Sequence, residues 1–101
     1  MFHLNGMRLP AGVDAQAQGL WGSIGWATPA ALGVAMAKTA GRTWLVTGDG
    51  SHQLTLNELA VMGRYGVTPR IFVLNNGLYG VEDIISERGH AYDDLAPVKY
   101  H

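Results

Sequence analysis

The sequence predicts an α/β fold, a partial parallel sheet with crossover helices, and three observations carry that expectation. Two short apolar runs rich in β-formers, Trp44-Leu45-Val46-Thr47 and Ile71-Phe72-Val73-Leu74, read as strands covered on both faces. A helix-length amphipathic stretch separates them, as a parallel pair requires. Each run then breaks into oxygen-bearing residues, Gly48-Asp49-Gly50-Ser51 after the first and Asn75-Asn76 after the second. In open α/β sheets, such strand ends are where ligands are held.

The elements follow in order. Residues 1–20 carry little pattern beyond the punctuation of Pro10 and Gly12 and read as an incoming loop or edge strand. The turn Gly22-Ser23-Ile24-Gly25 leads into Thr28-Pro29, read as a cap followed by proline at the first helical position of a helix over 29–38. Ala30, Ala31, Gly33, Ala35 and Ala37 would let that helix press closely on neighbouring backbone, and Gly41 would end it. After the first strand, Thr55-Leu56-Asn57-Glu58 has capping-box spacing, with Leu54 placed to staple onto Leu59. Leu56, Leu59, Ala60 and Gly63 recur at i, i+3, i+4 and i+7 and predict the helix face against the sheet. Gly66 closes this helix and Pro69 prevents its resumption. A crossover of this kind is nearly always right-handed and brings both polar breaks to one edge. Asp49 and Asn76 are therefore expected to be near neighbours. Glu82 and Asp83 open a further apparent helix through Ile84 and Ile85.

Composition narrows the function classes. With 101 residues, 48% apolar, 15% charged and a net charge of −1, the chain suits one soluble domain or a piece of one, with a small core. Its few basic residues are not clustered, which argues against nucleic acid or an anionic membrane as partner. There is no cysteine, hence no disulfide and no thiolate metal site. Met1-Phe2-His3-Leu4 lacks the pattern of a signal peptide, and no apolar run approaches the ~20 residues that span a bilayer, so the cytoplasm is the expected location.

The polar edge has its own chemistry. A carboxylate, an amide oxygen and a nearby backbone carbonyl are hard donors suited to magnesium or calcium. Gly48 and Gly50 let backbone approach a bulky ligand, and the amides of residues 50–52, just ahead of the helix start expected at Thr55, favour a phosphate. Together these features read as a magnesium-bridged diphosphate. Taken singly, Gly-Asp-Gly is also an ordinary turn and Asn-Asn a loop opener. Their joint placement on consecutive strand ends is what distinguishes the two readings.

Gly48-Asp49-Gly50-Ser51, with Asn76 twenty-seven residues beyond Asp49, resembles the thiamine-diphosphate-binding motif of the thiamine-dependent 2-oxo acid enzymes, and the resemblance runs over about residues 20–92. It implies that Asp49, Asn76 and the main-chain carbonyl of Leu78 hold magnesium on the diphosphate, with Gly48, Gly50, Ser51, Tyr79 and Gly80 bordering the cofactor. The segment Trp21-Gly22-Ser23-Ile24-Gly25-Trp26 looks like the family's aminopyrimidine turn. By that match the Gly22 carbonyl accepts a bond from the ring's amino group, Ser23 lies in the cofactor turn, and Ile24 wedges the cofactor into its bent shape. Glu82, six residues after Asn76, falls where the pyruvate-type and aryl-pyruvate-type decarboxylases carry an active-site glutamate.

The resemblance thus implies decarboxylation of a 2-oxo acid to an aldehyde and carbon dioxide, with Glu82 as acid/base catalyst. By local pattern alone, Glu82 reads as a first-turn helix acid rather than a catalyst. Tyr79-Gly80 looks more like the carboligase branch, so an acetolactate-synthase-like carboligase is the alternative, beside a noncatalytic cofactor-domain fragment. The family's pyrimidine-binding and central domains have no counterpart here. Residues 1–101 are thus expected to be an incomplete C-terminal thiamine-diphosphate-binding domain, whose full-length form is a homodimer or homotetramer. His52 either faces the diphosphate or serves the fold, and Trp21 and Trp26 either border the cofactor or fill gaps. His3, His90 and His101 read as solvated, and Tyr92-Asp93-Asp94-Leu95 as a connection.

Overall fold

Two parallel strands set the frame of the computed structural model, which describes residues 6–37 and 41–85. In chain order the elements are α1 (Ala27–Met36), β1 (Trp44–Gly48), α2 (Asp49–Gln53), α3 (Asn57–Tyr65), β2 (Arg70–Leu74) and α4 (Gly80–Ile85). The strands run in register from Trp44 opposite Arg70 to Gly48 opposite Leu74. Because the pairing is parallel, both strands end at one edge, and Asp49 and Asn75 step off it from adjacent positions. His3, His90, His101 and Tyr92-Asp93-Asp94-Leu95 lie outside the described residues.

The strands alternate in burial, which differs from the expectation of cover on both faces. Leu45 and Thr47 are buried on the side where α1 packs against β1. On the opposite side Trp44, Val46, Phe72 and Leu74 are exposed. There the Trp44 and Phe72 rings meet at 5.4 Å with a 40° tilt, and the Arg70 guanidinium lies 5.9 Å from a Trp44 ring centroid. These contacts shelter part of an apolar surface that no described element covers.

Two helices start at other residues than expected. The first helix begins at Ala27, with Trp26 in the cap position and no side-chain capping bond. Thr28 is therefore inside the first turn and fully buried, and Pro29 occupies the third helical position, where a missing N–H costs no helical bond. Likewise Thr55 caps nothing: the helix starts at Asn57 and its cap residue, Leu56, makes no side-chain bond. The sequence reading also missed α2, so the amides of residues 50–52 lie within a short helix rather than ahead of one. In each case a hydroxyl that could satisfy a local amide is engaged by a partner far along the chain.

The amphipathic stripe of α3 is corrected too. Leu56, Leu59, Ala60 and Gly63 are exposed, and Met62 is the residue buried. The cause is the neighbour: α3 packs on α1 rather than on the two strands. Its C-terminus matches the sequence, with Gly66 at φ +65° and the Val67 N–H donating to the Met62 carbonyl at 3.0 Å. The buried apolar residues among those described are Ala31, Leu32, Leu45 and Met62, set beside four buried polar ones, Thr28, Thr47, Asp49 and His52. So small a core leaves polar contacts a large share of the work of fixing the geometry.

Candidate cofactor site

At the strand edge, Asp49 opens α2 directly after β1 and is only 2% exposed. Its Oδ2 accepts the Gly77 N–H at 2.8 Å. Gly77 has φ +73°, a conformation that favours glycine and turns its amide onto the carboxylate. One end of the Asn76 carboxamide lies 3.0 Å from Asp49 Oδ1 and 3.1 Å from the Leu78 carbonyl oxygen. With nitrogen at that end, the amide donates both hydrogen bonds. The Tyr79 hydroxyl donates to the Gly50 carbonyl at 3.3 Å, a second tie between the two loops. Asp49, Asn76 and Leu78, twenty-nine residues apart at most, thus meet at one point.

On the other flank of α2 lies the glycine turn. Gly22 and Gly25 have φ of +59° and +89°. The Gly22 N–H donates to the Gln18 carbonyl at 3.2 Å, and the Ser23 N–H donates to Gln18 Oε1 at 2.8 Å. Both peptide groups of Gly25 are held by the segment that follows Asp49: its N–H donates to Ser51 Oγ and its carbonyl accepts from Thr55 Oγ1, each at 2.9 Å. A Cβ on Gly25 would stand 3.2 Å from Leu54 Cβ, so backbone and side chain meet closely here. Ile24 is 42% exposed and is not a core residue, while Trp21 is 82% exposed and Trp26 half-buried. Ser51, read as a cofactor neighbour, has its hydroxyl oxygen engaged by Gly25.

His52 does not behave as a solvated ring. It is buried, and its Nδ1 lies 2.9 Å from the hydroxyl of the fully buried Thr28. Burial holds the imidazole below its ordinary value of 6.5, which keeps it neutral at pH 7. The linkage has a definite sign. Well above pH 6.5 the ring is neutral in folded and unfolded chains alike and contributes no pH dependence. Below it the unfolded chain takes up the proton first, and stability declines until the pH passes the lowered folded value. We expect the urea midpoint to fall as the pH is lowered through 6.5, and His52→Leu to flatten that slope. An identical slope in the variant would contradict the assignment.

The comparisons with known proteins bear on this geometry. A family described as "Thiamine pyrophosphate enzyme, C-terminal TPP binding domain" matches residues 3–98. The chain belongs to this family. Among the curated relatives of this TPP-binding domain, the "Alpha-keto-acid decarboxylase" of Mycobacterium ulcerans is 49% identical over 88 residues, 87% of this chain and 16% of that protein. Its namesakes in Mycobacterium avium and Mycobacterium tuberculosis H37Rv are 47% and 48% identical, over 92% and 87% of this chain and 16% of each relative. The chain spans about a sixth of the length of these relatives. No solved structure matches.

Within this TPP-binding domain, the residues singled out in the sequence divide into two groups around α2. Asp49, Gly50, Asn76, Leu78 and Tyr79 are brought together directly, with Gly48 ending β1 and Gly80 opening α4. Gly22, Ser23 and Ile24 lie in the turn tied to residues 51–55 through Gly25. Glu82 is half-buried in the first turn of α4. The sequence reading gave no site role to Gln18, Thr28 or Thr55. The available signal was a polar side chain amid small and apolar neighbours, as in Ala27-Thr28-Pro29. No described helix is long and apolar enough to cross a membrane.

Proposed function

We propose that this chain supplies the diphosphate and magnesium half of a thiamine-diphosphate-dependent 2-oxo acid decarboxylase that releases an aldehyde and carbon dioxide. The observation that carries the proposal is the convergence of Asp49 Oδ1, the Asn76 carboxamide and the Leu78 carbonyl. An octahedron with metal–oxygen bonds of about 2.1 Å has adjacent oxygens about 3.0 Å apart. With the Asn76 oxygen turned inward, separations of 3.0 and 3.1 Å match that spacing, so the donor set fits magnesium and its preference for all-oxygen ligands.

Each residue then has a task. Asp49 brings the negative charge, and Gly77 holds that carboxylate by its other oxygen. Gly48 ends β1 directly before this carboxylate. The Gly22 carbonyl would accept a hydrogen bond from the aminopyrimidine, and the Ile24 side chain would pack against the cofactor and fix its orientation. When bound, thiamine diphosphate supplies a cationic ring that accepts the electron pair released as carbon dioxide departs. Glu82 would move a proton at the reacting carbon. The separate pyrimidine-binding domain that completes the site would come from outside these residues, in a homodimer or homotetramer working in the cytoplasm. A relative's name, "Alpha-keto-acid decarboxylase", supports this choice of reaction.

The test is calorimetry with thiamine diphosphate, with and without magnesium, on the chain alone and on the Mycobacterium ulcerans relative carrying this chain in place of its matched stretch. Magnesium-dependent binding and aldehyde from pyruvate are expected. Acetolactate as the product would transfer the site to the carboligase alternative. Absence of binding in both proteins would leave a noncatalytic fragment.

A further inference from the structure

The side-chain hydrogen bonds of the described residues concentrate on one segment. Residues 49–55 reach Gly77 and Tyr79 on one side, through Asp49 and Gly50. On the other they reach Gly25 and Thr28, through Ser51, Thr55 and His52. The pieces joined lie 24 to 30 residues apart in sequence. Segment 49–55 therefore lies between the glycine turn and the asparagine loop and touches both.

Among these contacts the Thr28–His52 pair is the deepest. Thr28 is fully buried, His52 is 4% exposed, and their polar atoms are 2.9 Å apart. Thr28 stands three residues after Gly25, at the start of the helix that the glycine turn feeds. His52 stands three residues after Asp49, one helical turn along α2. A small sliding of α1 past α2 stretches this bond beyond hydrogen-bonding range and strands a buried hydroxyl, away from water. A purely apolar contact tolerates the same sliding with little loss, because dispersion is not directional. The pair therefore acts as a ruler between the two helices, and the Ser51 and Thr55 bonds to Gly25 carry its register up to the turn.

We infer that Thr28 and His52 form a positioning pair that sets the distance between the turn over 22–25 and the Asp49 motif, so that one rigid frame receives both ends of thiamine diphosphate. The inference rests on the cofactor reading above. Neither residue touches the cofactor; each acts through the helix it stands on. A ligand that spans both segments feels the spacing, while one that occupies only the metal and diphosphate end does not. Fixing the spacing in advance reduces the ordering that binding must otherwise supply.

Calorimetry with two probes, magnesium thiamine diphosphate and magnesium pyrophosphate, tests this on the full chain and on the Mycobacterium ulcerans relative carrying it. Thr28→Val keeps the shape and removes the hydroxyl. It should weaken thiamine diphosphate about tenfold while leaving pyrophosphate unchanged, and Thr28→Ser should restore binding. The double variant Thr28→Val with His52→Leu replaces both buried polar groups and guards against misfolding. It should recover thermal stability and still bind thiamine diphosphate more weakly than the unsubstituted chain. Equal losses for both probes, or none for either, would overturn the positioning role while leaving the cofactor site intact. An unsubstituted protein that binds neither probe in either setting would remove the cofactor reading and this inference with it.

Discussion

Replacing Asp49 by alanine is expected to lower the affinity for magnesium thiamine diphosphate by at least ~100-fold, since it removes the one charged group among the three proposed metal donors. The substitution also releases the Gly77 N–H that Asp49 Oδ2 accepts at 2.8 Å, so the asparagine loop loses an anchor. Asp49→Asn separates the two effects. The amide oxygen can still accept from Gly77, but the charge is gone, so the fold should persist while magnesium dependence disappears. Calorimetry with and without magnesium, beside thermal denaturation of both variants, gives the comparison. Wild-type affinity in Asp49→Ala would remove the metal role from this carboxylate.

The second large effect is expected at Glu82. Glu82→Gln keeps the size and the hydrogen-bonding capacity of the side chain and removes its ability to exchange a proton. Turnover of a 2-oxo acid in the enzyme carrying this chain should fall at least ~100-fold, with cofactor affinity unchanged. The competing account is local: Glu82 and Asp83 sit in the first turn of α4, where negative charge suits the helix dipole. On that account the substitution costs at most about 1 kcal/mol of stability and turnover stays the same. Steady-state rates set against melting curves decide between the two. The pairing also distinguishes Glu82 from Asp49, whose loss acts on binding first.

The two strands, the glycine that ends α3 and the meeting of Asp49 with Asn76 were legible in the sequence, and for one reason. Each follows from residue type and spacing together with a general rule of pairing or capping that leaves few alternatives. Short apolar runs pair as strands, Gly66 takes a left-handed turn that other residues resist, and a parallel pair brings both of its ends to one edge. The family resemblance added roles to those positions, and the match over residues 3–98 agrees with it.

The hydroxyls were not legible. Thr28 and Thr55 each stand where a helix cap is plausible, and each instead bonds a group 24 or 30 residues away. A threonine oxygen goes to the partner most in need of it once water is excluded, and which partner that is depends on how helices pack. Similarly, the apolar stripe of α3 was plain in sequence, but α1 rather than the strands became its neighbour, and Met62 took the buried position.

By itself, then, the sequence determined the strand–helix–strand order, the parallel edge and the donor chemistry offered there, because those depend on residue type and short spacing. Only the tertiary structure decided that Gly25 is gripped at both peptide groups, that His52 is buried and kept neutral against Thr28, and that segment 49–55 joins the turn to the loop. The physical reason is desolvation. A polar group's partner is chosen by what remains within about 3 Å after water has gone, and that set is assembled by packing rather than by sequence neighbours.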